Sequence, residues 1–120
     1  MLQYNNVEIE EFFAKIPNCS NYLISNKGRI YSFIKNKFMK PEIKENGYQR
    51  IELKMDDGRS KRFSVHRLVV DVFGDKNMNR EILPGYDVDH LDRNKLNNSI
   101  NNLEIVKHIE NMHRWMKKGE

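Results

Sequence analysis

The chain has 120 residues, enough for one domain with a modest core, and its 21 basic and 17 acidic residues leave a net charge of +4. Hydrophobic residues are 38% and charged residues 32%, but six Phe, five Tyr and one Trp argue against disorder. No apolar run exceeds three residues and the N-terminus lacks a basic-then-apolar stretch, so neither a membrane span nor a secretory signal is expected. The single cysteine, Cys19, permits no internal disulfide and no cysteine-based zinc site, and it suits a reducing cytosol.

Residues 1 to 17 place Glu8, Glu10 and Glu11 ahead of Phe12, Phe13 and Ile16 and read as a short element closed by Pro17. Turn residues follow from Asn18 to Asn21. Tyr22 to Ile24 reads as a strand, Ser25 to Gly28 as a tight turn with Gly28 at positive φ, and Arg29 to Ile34 as the returning strand. Asn46-Gly47 marks a second turn. Tyr48 to Lys54 alternates apolar and polar, Asp57-Gly58 is a favoured hairpin turn, and Arg59 to Val65 returns. The first half is therefore expected to be a small antiparallel sheet.

The period then changes. Leu68, Val69, Val72 and Phe73 share one helical face over His66 to Phe73, and Gly74 stops the helix. Residues 75 to 86 read as a loop. Asp87 to Leu91 and Leu103 to Val106 read as two strands flanking a long polar loop, followed by a helix over about Ile109 to Lys117. The chain holds 15 asparagines, five of them between positions 94 and 102, where Asn94, Asn97 and Asn98 are suited to closing the loop through side-chain to backbone bonds.

Charge is unevenly spread. Residues 27 to 62 hold 11 basic and five acidic side chains, a local excess of six, whereas the rest of the chain is slightly acidic. A basic block spread over strands suits a polyanion, because each phosphate neutralised releases counterions. The same block would also serve as a merely solvated face.

The stretch Val88-Asp89-His90-Leu91-Asp92-Arg93-Asn94-Lys95-Leu96-Asn97-Asn98-Ser99-Ile100-Asn101-Asn102-Leu103-Glu104-Ile105-Val106-Lys107-His108-Ile109-Glu110-Asn111-Met112-His113-Arg114 resembles the metal-binding ββα motif of the HNH nuclease family, specifically its phage and intron-encoded homing endonucleases. Asn21 to Phe33 resembles the hairpin module that precedes this motif in those proteins, and Val65 to Phe73 their connecting helix. The resemblance covers roughly residues 17 to 114. It implies an α+β fold within a single domain over residues 1 to 120. A β-rich DNA-binding region would span about 17–65, and a helix with the ββα-metal motif about 66–118.

The resemblance also implies an activity: divalent-metal-dependent hydrolysis of phosphodiester bonds in double-stranded DNA, by nicking or cleavage, in a phage or other mobile-element setting within a bacterial cytoplasm. His90 would be the general base, since imidazole is largely neutral at working pH. Asp89 and Asn111 would supply oxygen ligands to one divalent cation, Mg²⁺ or Mn²⁺. Asn102 would hold the loop and orient the His90 ring. Products would carry 5′-phosphate and 3′-hydroxyl ends. Neighbouring strand residues point to opposite faces, so Asp89 and His90 can both serve a site only where the strand ends or bulges. Arg29, Lys35, Arg50, Lys54 and Arg62 are the expected phosphate contacts.

Some positions depart from the family pattern. Phe12-Phe13 stands where a Trp is common. Arg93 stands where a Gly is common, and Lys107 replaces a common Thr or Ser cap. A positive φ at Arg93 would cost roughly 1 kcal/mol or more. Relatives often carry a further C-terminal DNA-binding region, absent here, so a short footprint is expected, with a monomer or homodimer acting. His66 reads as a structural anchor for its helix, His108 is unassigned, and His113 faces away from Asn111 on a helix. Cys19 reads as a small turn or core residue, and Trp115 and Met116 as cover for the core edge. Two rival readings are a catalytically inactive DNA-binding module that retains the fold, and a structural or RNA-associated protein using the basic sheet.

Overall fold

The computed structural model describes residues 8–74 and 85–118, and only the backbone of Trp115, Lys117 and Lys118. Seven strands precede the first helix. β1 (Phe13–Ile16), β2 (Cys19–Ser25), β3 (Ile30–Ser32) and β4 (Lys37–Phe38) form an antiparallel sheet in that order. β5 (Glu42–Ile43), β6 (Gln49–Lys54) and β7 (Ser60–Ser64) form a second. The single sheet expected from the sequence is thus two. The break falls at Lys40-Pro41, where proline has no N–H to continue a ladder. β4 and β5 have two residues each, too short to show a period of two.

Alternation explains which faces are buried. Tyr22 and Ile24 of β2 point inward, Ile24 lying opposite Ile30 of β3. On β6, Ile51 and Leu53 point inward while Glu52 and Lys54 face solvent. α1 (Val65–Phe73) buries Val65, Leu68 and Val69 at helical spacing. Each such side chain contributes about 1.5–3 kcal/mol when removed from water. Gly74 ends the helix in extended geometry, its N–H donating to the Val70 carbonyl at 2.9 Å.

β8 (Tyr86–His90) and β9 (Leu103–Lys107) form a separate antiparallel pair, with a 3-10 turn at Ile100–Asn102 leading into β9. α2 (His108–Lys118) packs on both strands. The hairpin, wide loop and helix read from the sequence are all present, and the fold is α+β. Of the loop expected over 75 to 86, residues 75–84 lie outside the described residues. One hydrophobic cluster joins β1, β2, β3, β6, α1, β8 and β9 through Ile16, Ile24, Ile30, Leu53, Val69 and Val88, among others. Cys19 lies within it, fully buried, and burial raises its thiol pKa above the ordinary value.

Candidate active site

The wide loop is folded around one carboxylate. Asp92 accepts from the Asn94 N–H and from Asn102 Nδ2, both at 2.8 Å, and from Asn97 Nδ2 at 2.9 Å. Asn102 also takes the Asp92 N–H on Oδ1 at 3.0 Å and donates to the Asn97 carbonyl at 2.9 Å. Burial alone would raise the Asp92 pKa. The donors from Asn97, Asn94 and Asn102 outweigh it and hold the carboxyl below its ordinary range. Asn102 therefore closes the loop. Arg93 sits in this turn at φ 65, the left-handed geometry that a glycine would take without cost.

β8 ends at His90, and the candidate ligand Asp89 and the candidate base His90 leave its end in different directions. Asp89 and His90 are each 1% exposed. The His90 ring faces His66 at 5.2 Å and Tyr48 at 5.8 Å, and those two rings stack on each other at 4.9 Å. His90 Nε2 lies 2.7 Å from Asn98 Oδ1, and Nδ1 is buried without a partner. Orientation of the ring thus comes from Asn98, which corrects the role assigned to Asn102. Asn102 is fully committed to the backbone and to Asp92. Burial depresses the His90 pKa, which favours the neutral ring. His66 is also buried, and burial lowers it to about 3. It belongs to the wall of this site as well as anchoring its helix.

Asp89 faces α2. Its carboxylate accepts from Arg93 Nη1 at 3.0 and 3.2 Å and from Arg114 Nη1 at 2.9 Å. Arg114 also reaches Glu104 at 3.3 Å. Asn111, 7% exposed near the start of α2, donates from Nδ2 to Asp87 at 3.1 Å. Its Oδ1 is buried with no donor. Among the described residues, His90 Nδ1 and Asn111 Oδ1 are the buried side-chain polar atoms left without a partner. An acceptor oxygen without a donor is what a hard cation requires. Mg²⁺ binds through one or two protein oxygens and keeps several waters, which suits Asn111 Oδ1, whereas the Asp89 carboxylate is held by Arg93 and Arg114. Among the described residues no group of three or more His, Cys, Asp or Glu could hold a metal, so an alternative histidine or cysteine centre finds no support there.

The expected DNA contacts divide by neighbour. Arg29 forms a two-point ion pair with Glu11 at 2.9 and 2.8 Å, and its guanidinium lies 4.4 Å over the Phe38 ring. Arg50 pairs with Glu42, and Arg62 with Glu52 at 3.6 Å. Lys35 and Lys54 are exposed. Arg50, Lys54 and Arg62 share the outer face of the second sheet, whereas Arg29 and Lys35 belong to the first. Residue counting missed these pairings because each partner lies eight to 18 positions away in sequence. His113 is exposed, and His108 Nδ1 meets Asp87 at 2.7 Å. Met116 is 64% exposed and does not cover the core, because it lies on the solvent side of α2.

The chain is similar to known proteins over most of its length. Residues 11–54 match the NUMOD4 motif, and residues 78–113 match the HNH endonuclease family. The chain is 38% identical over 103 residues to the DNA endonuclease I-HmuI of Bacillus phage SP01, covering 82% of this chain and 53% of that protein. It is 31% identical over 105 residues to the H-N-H endonuclease F-TflI of Escherichia phage T5, covering 88% and 52%. An uncharacterized HNH endonuclease of Acanthamoeba polyphaga mimivirus is 35% identical over 85% of this chain and 29% of its own length. The chain thus spans about half, or less, of these relatives. A solved structure of DNA binding and cleavage by the HNH homing endonuclease I-HmuI superposes with a TM-score of 0.75 at 35% identity, over 90% of this chain and 59% of that one. With its loop knotted by Asn102 and its histidine and asparagine on a strand end and a facing helix, the chain belongs to the HNH endonuclease family.

Proposed function

We propose that the chain is a divalent-metal-dependent endonuclease of homing type that hydrolyses phosphodiester bonds in double-stranded DNA, by nicking or cleavage. The observation that carries this reading is the pair of buried, unpartnered acceptors, His90 Nδ1 and Asn111 Oδ1. Leaving a buried polar atom unpaired costs about 1–3 kcal/mol, and each of these two costs is accounted for by a group that arrives with substrate.

His90 Nδ1 takes a proton from a water, whose oxygen attacks the phosphorus. The bond to the 3′ oxygen breaks, and that oxygen takes a proton from a solvent water, leaving 5′-phosphate and 3′-hydroxyl ends. One Mg²⁺ or Mn²⁺, held by Asp89 and Asn111, would neutralise charge on the phosphate and the departing oxygen. Asn102 keeps the loop closed so that His90 and Asp89 stay at the end of β8. Lys35 and Lys54, with Arg29, Arg50 and Arg62 once released from their acidic neighbours, lie along the DNA backbone. The chain acts as a single domain, as monomer or homodimer, in the cytoplasm of a phage-infected or element-bearing bacterium. Among the described residues no helix is long and apolar enough to cross a membrane.

The test is conversion of supercoiled plasmid to open-circle and linear forms. Conversion with Mg²⁺ that is absent in EDTA, and reduced at least about 100-fold in His90→Ala, is the expected result. Equal conversion by His90→Ala and the unaltered chain would end the base assignment. DNA binding without conversion, on phage DNA as well, would favour an inactive binding module. RNA bound at least as tightly as duplex DNA at matched salt would favour the RNA-associated reading.

A further inference from the structure

Asn98 lies in the asparagine-rich loop, yet its side chain is not used to close that loop. It is 3% exposed and reaches in two directions. Oδ1 meets His90 Nε2 at 2.7 Å, and Nδ2 donates to Gln49 Oε1 at 2.8 Å. Gln49 opens β6 and shares its inward face with Ile51 and Leu53. The turn between β2 and β3 packs on the other side of Asn98. A Cβ built on Gly28 would fall 2.9 Å from Asn98 Cβ, and the Ile100 N–H donates to the Asn26 carbonyl at 2.8 Å. Both N-terminal sheets therefore fix one amide, and that amide touches the proposed base.

We propose that Gln49 and Asn98 are positioning residues that set the tautomer of His90. An amide has a donor end and an acceptor end. Gln49 Oε1 is an acceptor, so it draws the Nδ2 end of Asn98 toward β6. The Oδ1 end is then turned to the ring, where it accepts from Nε2–H. With the proton held on Nε2, the lone pair is on Nδ1, the buried nitrogen without a partner. Reversal of the amide would place a donor against Nε2, move the ring proton to Nδ1 and abolish the base. The N-terminal region thus takes part in the chemistry through the direction of one hydrogen-bond chain. This inference rests on His90 acting as the base, but its test does not.

The experiment is ¹⁵N NMR of the histidine rings in the full chain, without metal or DNA, with the His90 signals assigned by their loss in His90→Gln. The unaltered chain is expected to show His90 as a single Nε2–H tautomer. Gln49→Glu keeps an acceptor facing Asn98 and retains that tautomer. Gln49→Lys presents a donor, turns the amide and shifts His90 to Nδ1–H. Asn98→Ala gives a mixture of the two. In plasmid nicking, Gln49→Lys lowers the turnover rate about 10–100-fold with little change in the DNA concentration for half-maximal rate. An unchanged tautomer in Gln49→Lys or Asn98→Ala overturns the proposal, as does its loss in Gln49→Glu. The Gln49 pair decides the matter if Asn98→Ala does not fold. Full nicking by His90→Ala would instead overturn the reading of His90 as base and leave the tautomer result standing.

Discussion

Arg93 combines a backbone cost with a side-chain gain. Its φ of 65 is unfavourable for any residue with a Cβ, while its guanidinium touches both oxygens of the buried Asp89 and the His90 carbonyl at 3.1 Å. The two effects separate by substitution. Arg93→Gly and Arg93→Ala both lose the guanidinium, but only alanine keeps the strain. The glycine variant should be more stable by about 1 kcal/mol in urea unfolding. Equal stability of the two would mean that the turn relaxes away from left-handed geometry. Both variants should bind Mn²⁺ more tightly than the unaltered chain, because one competing cation has left Asp89. At this scale the sequence was informative where chemistry fixes residue type: Asp89, His90, Asn102 and Asn111 all lie in the motif. In sequence Asn98 reads as turn chemistry, because five asparagines crowd the loop and the partners that distinguish it, His90 and Gln49, lie eight and 49 positions away.

Among the elements, the turn between β2 and β3 does more than reverse the chain. Gly28 at φ 90 brings the turn against Asn98, whereas Gly58 at φ 89, between β6 and β7, has open space where a Cβ would point. Alanine at either position incurs the same backbone cost. Gly28→Ala should therefore be less stable than Gly58→Ala by about 1 kcal/mol or more, the usual cost of overpacking. Urea unfolding of the two variants measures the difference, and equal losses would show that the turn and loop are not tightly docked. The hairpins around Gly28 and Gly58, both helices and the last strand pair were legible from alternation and turn residues. β4 and β5 were not, and the split into two sheets follows from Pro41, whose effect on ladder continuity depends on which strands it lies between.

For the whole molecule, two adjacent buried imidazoles make acid the weak side of stability. His66 titrates near 3 when folded and near 6.5 when unfolded, so protons bind the unfolded chain first. Its contribution is fully present above pH 6.5 and is lost as pH falls toward 3. The loss is about 1.4 kcal/mol per pH unit, or about 2 kcal/mol between pH 6.5 and 5. His90 is shifted in the same direction by burial. His66→Phe keeps an aromatic ring beside Tyr48 and removes one of these titrations. Its unfolding free energy should fall less between pH 7 and 5, by about 2 kcal/mol. Parallel pH dependence in the variant and the unaltered chain would show that His66 is solvated enough to protonate in place. The sequence showed four histidines and no means of telling which were buried, because burial of His66 depends on β6, α1 and β8 meeting around it.

Cys19 offers a different use of the same core. It is the only thiol in the chain, it is fully sealed at the start of β2, and it is bracketed by β1. A thiol-reactive dye cannot reach it until β1 and β2 part. The rate of labelling in native buffer is therefore a clock for opening of the N-terminal sheet. It needs no engineered probe, and slower labelling in the presence of duplex DNA would report how firmly the bound polymer holds that sheet shut.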